Sequence, residues 1–443
     1  MASTSQASPP TTEQKTVITK YMWLVLITTM LGWGLDGTDG VLYSMVVQPA
    51  MRELLGASAT PAQIGYYGGL NIAMYLVGWA VGGIAFGILA DYFGRVRILS
   101  IGILWFAIFT GLTGFATAWW HVGVLRFLTG LGSGVESILG ANLISETWNN
   151  KYRPKAVSFM MSAYALGAFL AAFIYRIVGP YGWRKVFFVG VLPALCVLLI
   201  RRWVHEPEAF EKVRAKRKQL KQCGQTSEQD KKFLEFTLLS ILRGEYLRPT
   251  LICITMSICA LIGTWAVGGW IPSIIREVLQ SQGVAASKHL ALVAYGSMVY
   301  SLGGWIGYVT WGFITERIGR KPTFAINLLG SLILAPVLFL FVRNQMLFLC
   351  GLFLIGFTFF GYFGGMAVYV PELYPPRMRA TALSFVNGSA RVLTALGPFV
   401  TGMLVAPFGS YAKAAAAISS IYLLGTIALI FAKETRGLPL PED

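Results

Sequence analysis

The sequence predicts an all-α integral membrane protein with twelve transmembrane helices in two pseudo-symmetric six-helix bundles. Three observations carry this. Hydrophobic residues make up 55% of the 443 positions and charged residues only 13%, a balance far from that of soluble globular chains. About twelve apolar stretches reach the roughly 20 residues needed to cross a bilayer core of about 30 Å. The chain also repeats itself. Gly87-Ile-Leu-Ala-Asp91-Tyr-Phe-Gly94-Arg95 returns 225 positions later as Gly312-Phe-Ile-Thr-Glu316-Arg-Ile-Gly319-Arg320, and Glu146 with Arg153 returns 226 positions later as Glu372 with Arg379. Two unrelated motifs sharing nearly one offset mark a duplication, and each sits where an apolar run ends.

Residues 1–20 are rich in Ser, Thr and Pro and lack the apolar core and small-residue cleavage site of a secretory signal, so they read as a disordered cytoplasmic tail. The first bundle then occupies 21–203, with spans at 21–48, 64–90, 98–118, 121–145, 154–178 and 183–203. Span 1 doubles as the targeting signal. A polar segment, roughly 204–248, carries Lys212, Arg214, Lys216, Arg217, Lys218, Lys221, Lys231 and Lys232 among Glu208, Glu211, Glu228, Asp230 and Glu235, and divides six spans from six. Its Glu208–Arg214 stretch fits an amphipathic helix on the cytoplasmic lipid surface, and a solvated linker is the equal alternative. The second bundle occupies 249–432, with spans at 249–275, 290–315, 322–342, 345–370, 379–404 and 411–432. A short cytoplasmic tail, 433–443, ends the chain.

The net charge of +16 does not indicate a nucleic-acid partner, because basic residues gather in alternate connections. Lys15, Lys20, Arg95, Arg97, Lys151, Arg153, Lys155, Arg317, Arg320, Lys321, Arg377, Arg379, Lys433 and Arg436 all fall on one side. This positive-inside bias places both termini in the cytoplasm of a cell whose inner membrane holds the protein. Arg176, Arg184 and Lys185 are exceptions, as are Arg52 and Arg276, which each sit beside a glutamate. Five dispersed cysteines, four of them inside spans, give no disulfide or metal pattern and read as packing residues. His121, His205 and His289 fall at span ends or in loops. No nucleotide loop, metal cluster or catalytic triad order stands out, so the sequence predicts no enzyme, no cofactor and no metal.

The duplicated motif has a physical reading. Gly87 admits a close neighbouring helix, Asp91 accepts from the orphan amides of a helix N-terminus, and Gly94 permits the tight reversal. Arg95 then has a carboxylate within reach, and Glu146 with Arg153 adds a pair on the same membrane face. With their copies Gly312, Glu316, Gly319, Arg320, Glu372 and Arg379, these residues form a candidate latch that closes in one conformation and opens in another. A static turn with a weak surface ion pair is the alternative.

The Gly-x-Leu-Ala-Asp-x-x-Gly-Arg run of 87–95, its copy and the twelve-span layout resemble the major facilitator superfamily over nearly the whole chain. Asp36-Gly37-Thr38-Asp39 is similar to the Asp-Gly-x-Asp pattern of organic-acid and aromatic-acid proton symporters. Gly130-Leu-Gly-Ser-Gly134-Val-Glu136, continuing to Ser145-Glu146-Thr-Trp148, resembles the sialate:proton symporters. The span-five Gly-Pro motif of drug exporters is absent from Tyr164-Ala-Leu-Gly-Ala-Phe-Leu-Ala-Ala. The resemblance implies a secondary transporter working by alternating access, with a monomer as the superfamily default.

Charges inside spans are costly and are kept mainly for function. Asp36 and Asp39, three residues apart, share a helical face, and such close carboxylates resist double ionisation, which suits one of them to take up and release a proton. Asp39 lies roughly 27 Å above the start of span 1 and Arg126 roughly 28 Å above the end of span 4. The superfamily arrangement implies that both spans line the central cavity, so Asp39 and Arg126 are a candidate pair. Glu136, roughly 14 Å deep, is a further candidate for proton coupling. An interhelical hydrogen-bond acceptor is the alternative for these acids.

Arg391 lies roughly 18 Å into span 11, too deep to snorkel. Its planar fork suits a substrate carboxylate, and Asn387, one turn earlier, shares its face. A bundle tie to a buried acid is the alternative. Asn387-Gly-Ser-Ala-Arg391 followed by Gly397-Pro398 is also similar to the span-eleven pattern of aromatic-acid symporters. Tyr164, Trp265, Tyr295, Trp305 and Tyr362 are candidates to hold a ring or alkyl body, and Arg126 completes the substrate set. The function expected is proton-coupled uptake of a small organic anion, a carboxylate or aromatic acid. The alternatives are a sialic acid, sugar or polyol carrier and, from a different class, a nutrient-sensing transceptor.

Overall fold

The computed structural model describes residues 18–56, 58–148, 152–191, 241–342, 344–374 and 376–438. The expectations for the tail 1–17, for 204–240 of the linker and for 439–443 lie outside these residues, as do those for the side chains of Asp91, Glu146, Arg153 and Arg379. The regular structure described is helical throughout, and ten helices are long and apolar enough to cross a membrane. Span 1, Lys20–Leu55, is longer still at 36 residues but is made less apolar by its two aspartates. Trp183–Val189 is helical at the start of the expected span 6, and the expectation for 192–203 lies outside the described residues.

Packing follows the duplication. Span 2 (Pro61–Phe93) lies on the first part of span 4 (Trp119–Ser133), and span 8 (Ala286–Ile318) lies in the same way on span 10 (Gln345–Tyr369). Span 1 packs on span 5 (Arg153–Val178), and span 7 (Leu247–Gly268) on the first part of span 11 (Pro376–Thr394). Helices in lipid gain little from burying apolar surface and associate where small residues allow backbones to meet. Gly78 and Gly82 sit against the backbone of Phe127 and Leu131, while Gly303 and Gly307 sit against that of Phe353 and Phe357. The halves meet along span 2 with the second part of span 11 (Leu396–Phe408), and along span 5 with span 8.

The duplicated motif turns where expected. Gly94 and Gly319 adopt φ of 108° and 102°, the left-handed side that glycine alone takes without strain, and each separates two helices with a single residue. The expectation for Gly87 is corrected: a Cβ there, or on its copy Gly312, would meet nothing within 4 Å. Close approach in span 2 belongs instead to Gly82 and Gly78, earlier in the same helix.

Four interruptions fall within the described spans, one of them in span 12 at Ser419–Ser420, between Tyr411–Ile418 and Ile421–Ile430. Span 4 breaks at Gly134–Val135 and resumes as Glu136–Thr147, span 7 breaks at Gly269–Trp270 and resumes as Ile271–Ser281 with Pro272 in its first turn, and span 11 breaks at Ala395. Broken helices are tolerated at membrane depth where they are buried in protein or line a cavity. At the end of the bundle that bears the span 1–2 connection, Gly65 meets the backbone of Gly402, and Gly69 would place a Cβ 2.8 Å from the Pro398 carbonyl. Tyr411 Oη donates to the Pro61 carbonyl at 3.3 Å nearby. These contacts join the two halves at that end.

Candidate functional site

Asp39 and Arg126 meet as their depths suggested. Arg126 Nη1 donates to Asp39 Oδ2 at 3.3 Å and Nη2 to Oδ1 at 3.4 Å, and both side chains are 1% exposed. Thr110 donates to Asp39 Oδ1 at 2.5 Å, and Arg126 Nη2 also reaches the hydroxyls of Thr110 and Thr129, each at 3.3 Å. A buried ion pair is tolerable only with such additional hydrogen bonds. The guanidinium further lies 5.1 Å from the centroid of the Phe187 ring. Its fork is committed to Asp39, which corrects the expectation that Arg126 is held ready for a substrate carboxylate.

Asp36, one turn earlier, has no such partner. It is 0% exposed, and neither oxygen accepts a hydrogen bond; Ser133 and Tyr75 stand beside it outside bonding geometry. Glu136 is 1% exposed and its Oε1 is likewise without a partner. The break in span 4 sets Glu136 at the start of a new helix, and Gly32 of span 1 makes room for it, since a Cβ there would lie 2.6 Å from Glu136 Oε2. Gly32 and Asp36 are one turn apart, so the two unpartnered acids approach the same strip of span 1.

Arg391 reaches this part of the first half from the other half. Its guanidinium stacks 4.3 Å from the centroid of Trp79, and Nη2 donates to Ser137 Oγ at 3.0 Å. Both contacts are with the first half, so a cation from span 11 is held by spans 2 and 4. Beside it lies a cavity of about 150 Å³ that both halves line. Trp33, Trp79 and Tyr164 come from the first half, while Trp265, Tyr300, Phe360 and Asn387 come from the second. Trp33 and Trp79 stack at 6.4 Å with 15° between planes, Trp33 lies 5.0 Å from Tyr164, and Trp79 lies 6.2 Å from Trp265. Aromatic faces around a desolvated guanidinium suit an organic anion with a flat body.

Of the expected substrate residues, the structure brings Arg391, Asn387, Tyr164 and Trp265 together. Tyr295 is 49% exposed and its ring lies 5.9 Å from the Arg176 guanidinium; it sits five residues before Tyr300, about 140° around span 8 and away from the cavity. Tyr362 is buried against Phe324 at 5.2 Å inside the second bundle, two residues past the cavity-lining Phe360. Trp305 packs against the core outside the cavity. The sequence reading missed Trp33, Trp79, Tyr300, Tyr308 and Ser137. A signal existed for span 8, where Ser297, Tyr300, Ser301 and Tyr308 recur at helical spacing on one face of an otherwise apolar helix.

At the opposite end of the second bundle, Arg320 Nη2 donates to Glu372 Oε1 at 2.6 Å and Nε to Oε2 at 3.1 Å. Glu316 is exposed. The Arg320 pair joins two spans of one half, and the segment after span 12 is built onto it. Thr435 donates to Glu372 at 2.5 Å, and Glu434 accepts from the backbone amides of Arg320 and Lys321 at 2.9 Å each. Partial burial pushes the Glu434 carboxyl up, but the amides of Arg320, Lys321, Arg436 and Thr435 outweigh it and hold the group below the usual carboxylate range.

Residues 22–442 match the family described as sugar (and other) transporter. The chain is 29% identical to a probable 4-methylmuconolactone transporter of Cupriavidus pinatubonensis, over 92% of this chain and 90% of that one. It is 28% identical to the sialic acid transporter NanX of Escherichia coli K12, over 85% and 87% of the two chains. In structure it is similar to the partially occluded, inward-open xylose transporter XylE of E. coli, with a TM-score of 0.73 at 19% identity, covering 95% of this chain and all of that one.

Proposed function

This chain belongs to the sugar (and other) transporter family, with the major facilitator fold, and from that premise we propose that it takes up a small organic monoanion together with a proton. It is a multi-pass membrane transporter and not an enzyme. The observation that carries the substrate class is Arg391, a guanidinium set on Trp79 at the wall of an aromatic cavity shared by both halves. A carboxylate on its fork would replace the Ser137 hydroxyl, and Asn387 would add a donor. A cavity of about 150 Å³ matches one that admits a benzene-sized ring. That size favours a one-ring or muconate-like acid over a bulkier sialic acid, in keeping with the name of the methylmuconolactone relative.

Asp36 is the proposed proton carrier. Asp39 is satisfied by Arg126 and Thr110, whereas Asp36 is buried without a cation bonded to it, and a buried carboxyl in that position is tolerated when neutral. The field of Arg391 favours the ionised form of Asp36, and a substrate carboxylate cancels that field. Proton and anion binding therefore support each other, and the coupling is reciprocal. A monoanion with one proton crosses without net charge. Glu136 extends the site toward the cytoplasm as a second acid.

The proposed layout places both termini and the linker 204–248 in the cytoplasm, with bundles 21–203 and 249–432, working as a monomer in the inner membrane. The Arg320–Glu372 pair is one half of the proposed latch. Binding tests the substrate reading: purified protein is titrated with benzoate, muconate and sialic acid, alongside Arg391→Ala. The reading expects a ring-sized acid to bind at least tenfold more weakly to the variant, because one member of a buried charge pair is lost. Equal affinity in the two proteins would assign Arg391 to holding the bundles together.

A further inference from the structure

Arg52 and Arg276 stand apart from the charge bias of the chain, and the structure gives them a common setting. Met51-Arg-Glu-Leu-Leu55 and Ile275-Arg-Glu-Val-Leu279 lie 224 positions apart, close to the offset of the other repeated motifs. Each glutamate fastens the first span of its half to the last. Glu53 accepts from Trp183 Nε1 at 2.7 Å and pairs with Arg184 at the start of span 6. Glu277 Oε2 accepts from the backbone amides of Tyr411 at 2.7 Å and Ala412 at 3.2 Å at the start of span 12.

The two arginines differ. Arg52 is exposed. Arg276 is half-buried and crosses the interface, with Nη1 donating to Gln48 Oε1 at 2.9 Å and Nη2 to Tyr175 Oη at 3.1 Å. Gln48 belongs to span 1 and Tyr175 to span 5, so one side chain of the second half grips two spans of the first. Both acceptors are neutral. A charge-assisted bond to a neutral acceptor holds more firmly than an ordinary one, yet separating it leaves no carboxylate stranded, as breaking a buried ion pair would. A contact that opens in every cycle needs this balance.

We propose that Arg276 is the outer gate, closing the halves on Gln48 and Tyr175 while the cavity faces the cytoplasm. Glu277 makes the segment Ile271–Ser281 move with span 12, and the break at Gly269–Trp270 lets that segment turn relative to the rest of span 7. The proposal rests on the alternating-access reading above, but not on the identity of the substrate or of the proton carrier.

Spin labels on Ser58→Cys and Ser287→Cys, in a background whose five native cysteines are replaced, report the distance across the outer end in lipid nanodiscs. The native gate is expected to populate a short and a long distance. Arg276→Ala moves the ratio toward the long one by about tenfold, the scale of losing hydrogen bonds to a charged group, and Tyr175→Phe moves it the same way by less. Should Arg276→Ala not fold, Gln48→Ala with Tyr175→Phe removes the same contacts and leaves the arginine in place. Two native distances whose ratio is unchanged by these variants overturn the gate and leave the transport reading standing. Failure of that reading shows elsewhere, as absent uptake in proteoliposomes.

Discussion

Spans 1–6 bury three carboxyl groups among the described residues, Asp36, Asp39 and Glu136, whereas spans 7–12 bring a cation, Arg391, to the cavity that both halves line. The scaffolds are copies: Gly94 and Gly319 turn alike, Gly78 and Gly303 pack alike, and Glu53 and Glu277 fasten corresponding spans. The chemistry is not copied. Duplication supplies two bodies that rock about a shared seam, and divergence gives one of them the acids and the other Arg391. The proposed coupling requires no long pathway, because Arg391 reaches across the seam to Trp79 and to Ser137, next in sequence to Glu136.

The largest effect separates structure from coupling within the first half. Arg126→Met leaves Asp39 buried and uncompensated, and should destabilise the protein by about 3–5 kcal/mol, while adding Asp39→Leu should recover most of that loss. Thermal unfolding in detergent reads both. A double variant no more stable than the single one would mean that Asp39 does more than balance Arg126. A far smaller effect lies at the base of the second half. Glu434 is held below its usual range, so its contribution is present above the unfolded value of about 4.3 and is lost as pH falls through the lower folded value. The melting difference between the native chain and Glu434→Gln should be constant from pH 7 to about 5 and close below about 4. A gap that persists into acid would place the anchoring of this segment on Thr435 and Tyr369, whose hydroxyl bonds the Lys433 carbonyl at 2.7 Å.

Much of the fold was legible because a bilayer makes apolar length and charge placement nearly sufficient, although spans 1 and 7 run on past the limits read from the sequence, to Leu55 and Ser281. Breaks inside spans 4, 7, 11 and 12 were not legible, since a Gly-Val, Gly-Trp or Ser-Ser pair in an apolar run carries no local stop signal. Arg391, Asn387 and the Asp39–Arg126 pair could be read because charge at membrane depth is rare. Aromatic residues could not be sorted, as Tyr295 and Tyr300 differ only in the direction they leave one helix. Trp79 was overlooked for the same reason, though it stacks on Arg391. Gly87 shows the converse error, a motif glycine credited with a close contact that Gly78 and Gly82 make.

The division of labour between the halves is tested most directly by uptake of a labelled ring-sized acid into proteoliposomes, with and without an inward proton gradient, comparing the native chain with Asp36→Asn. The account predicts gradient-driven accumulation by the native protein, and in the variant loss of that accumulation while exchange of internal for external substrate continues at Arg391. Accumulation by Asp36→Asn at the native level would contradict it and move the proton to Asp39 or Glu136.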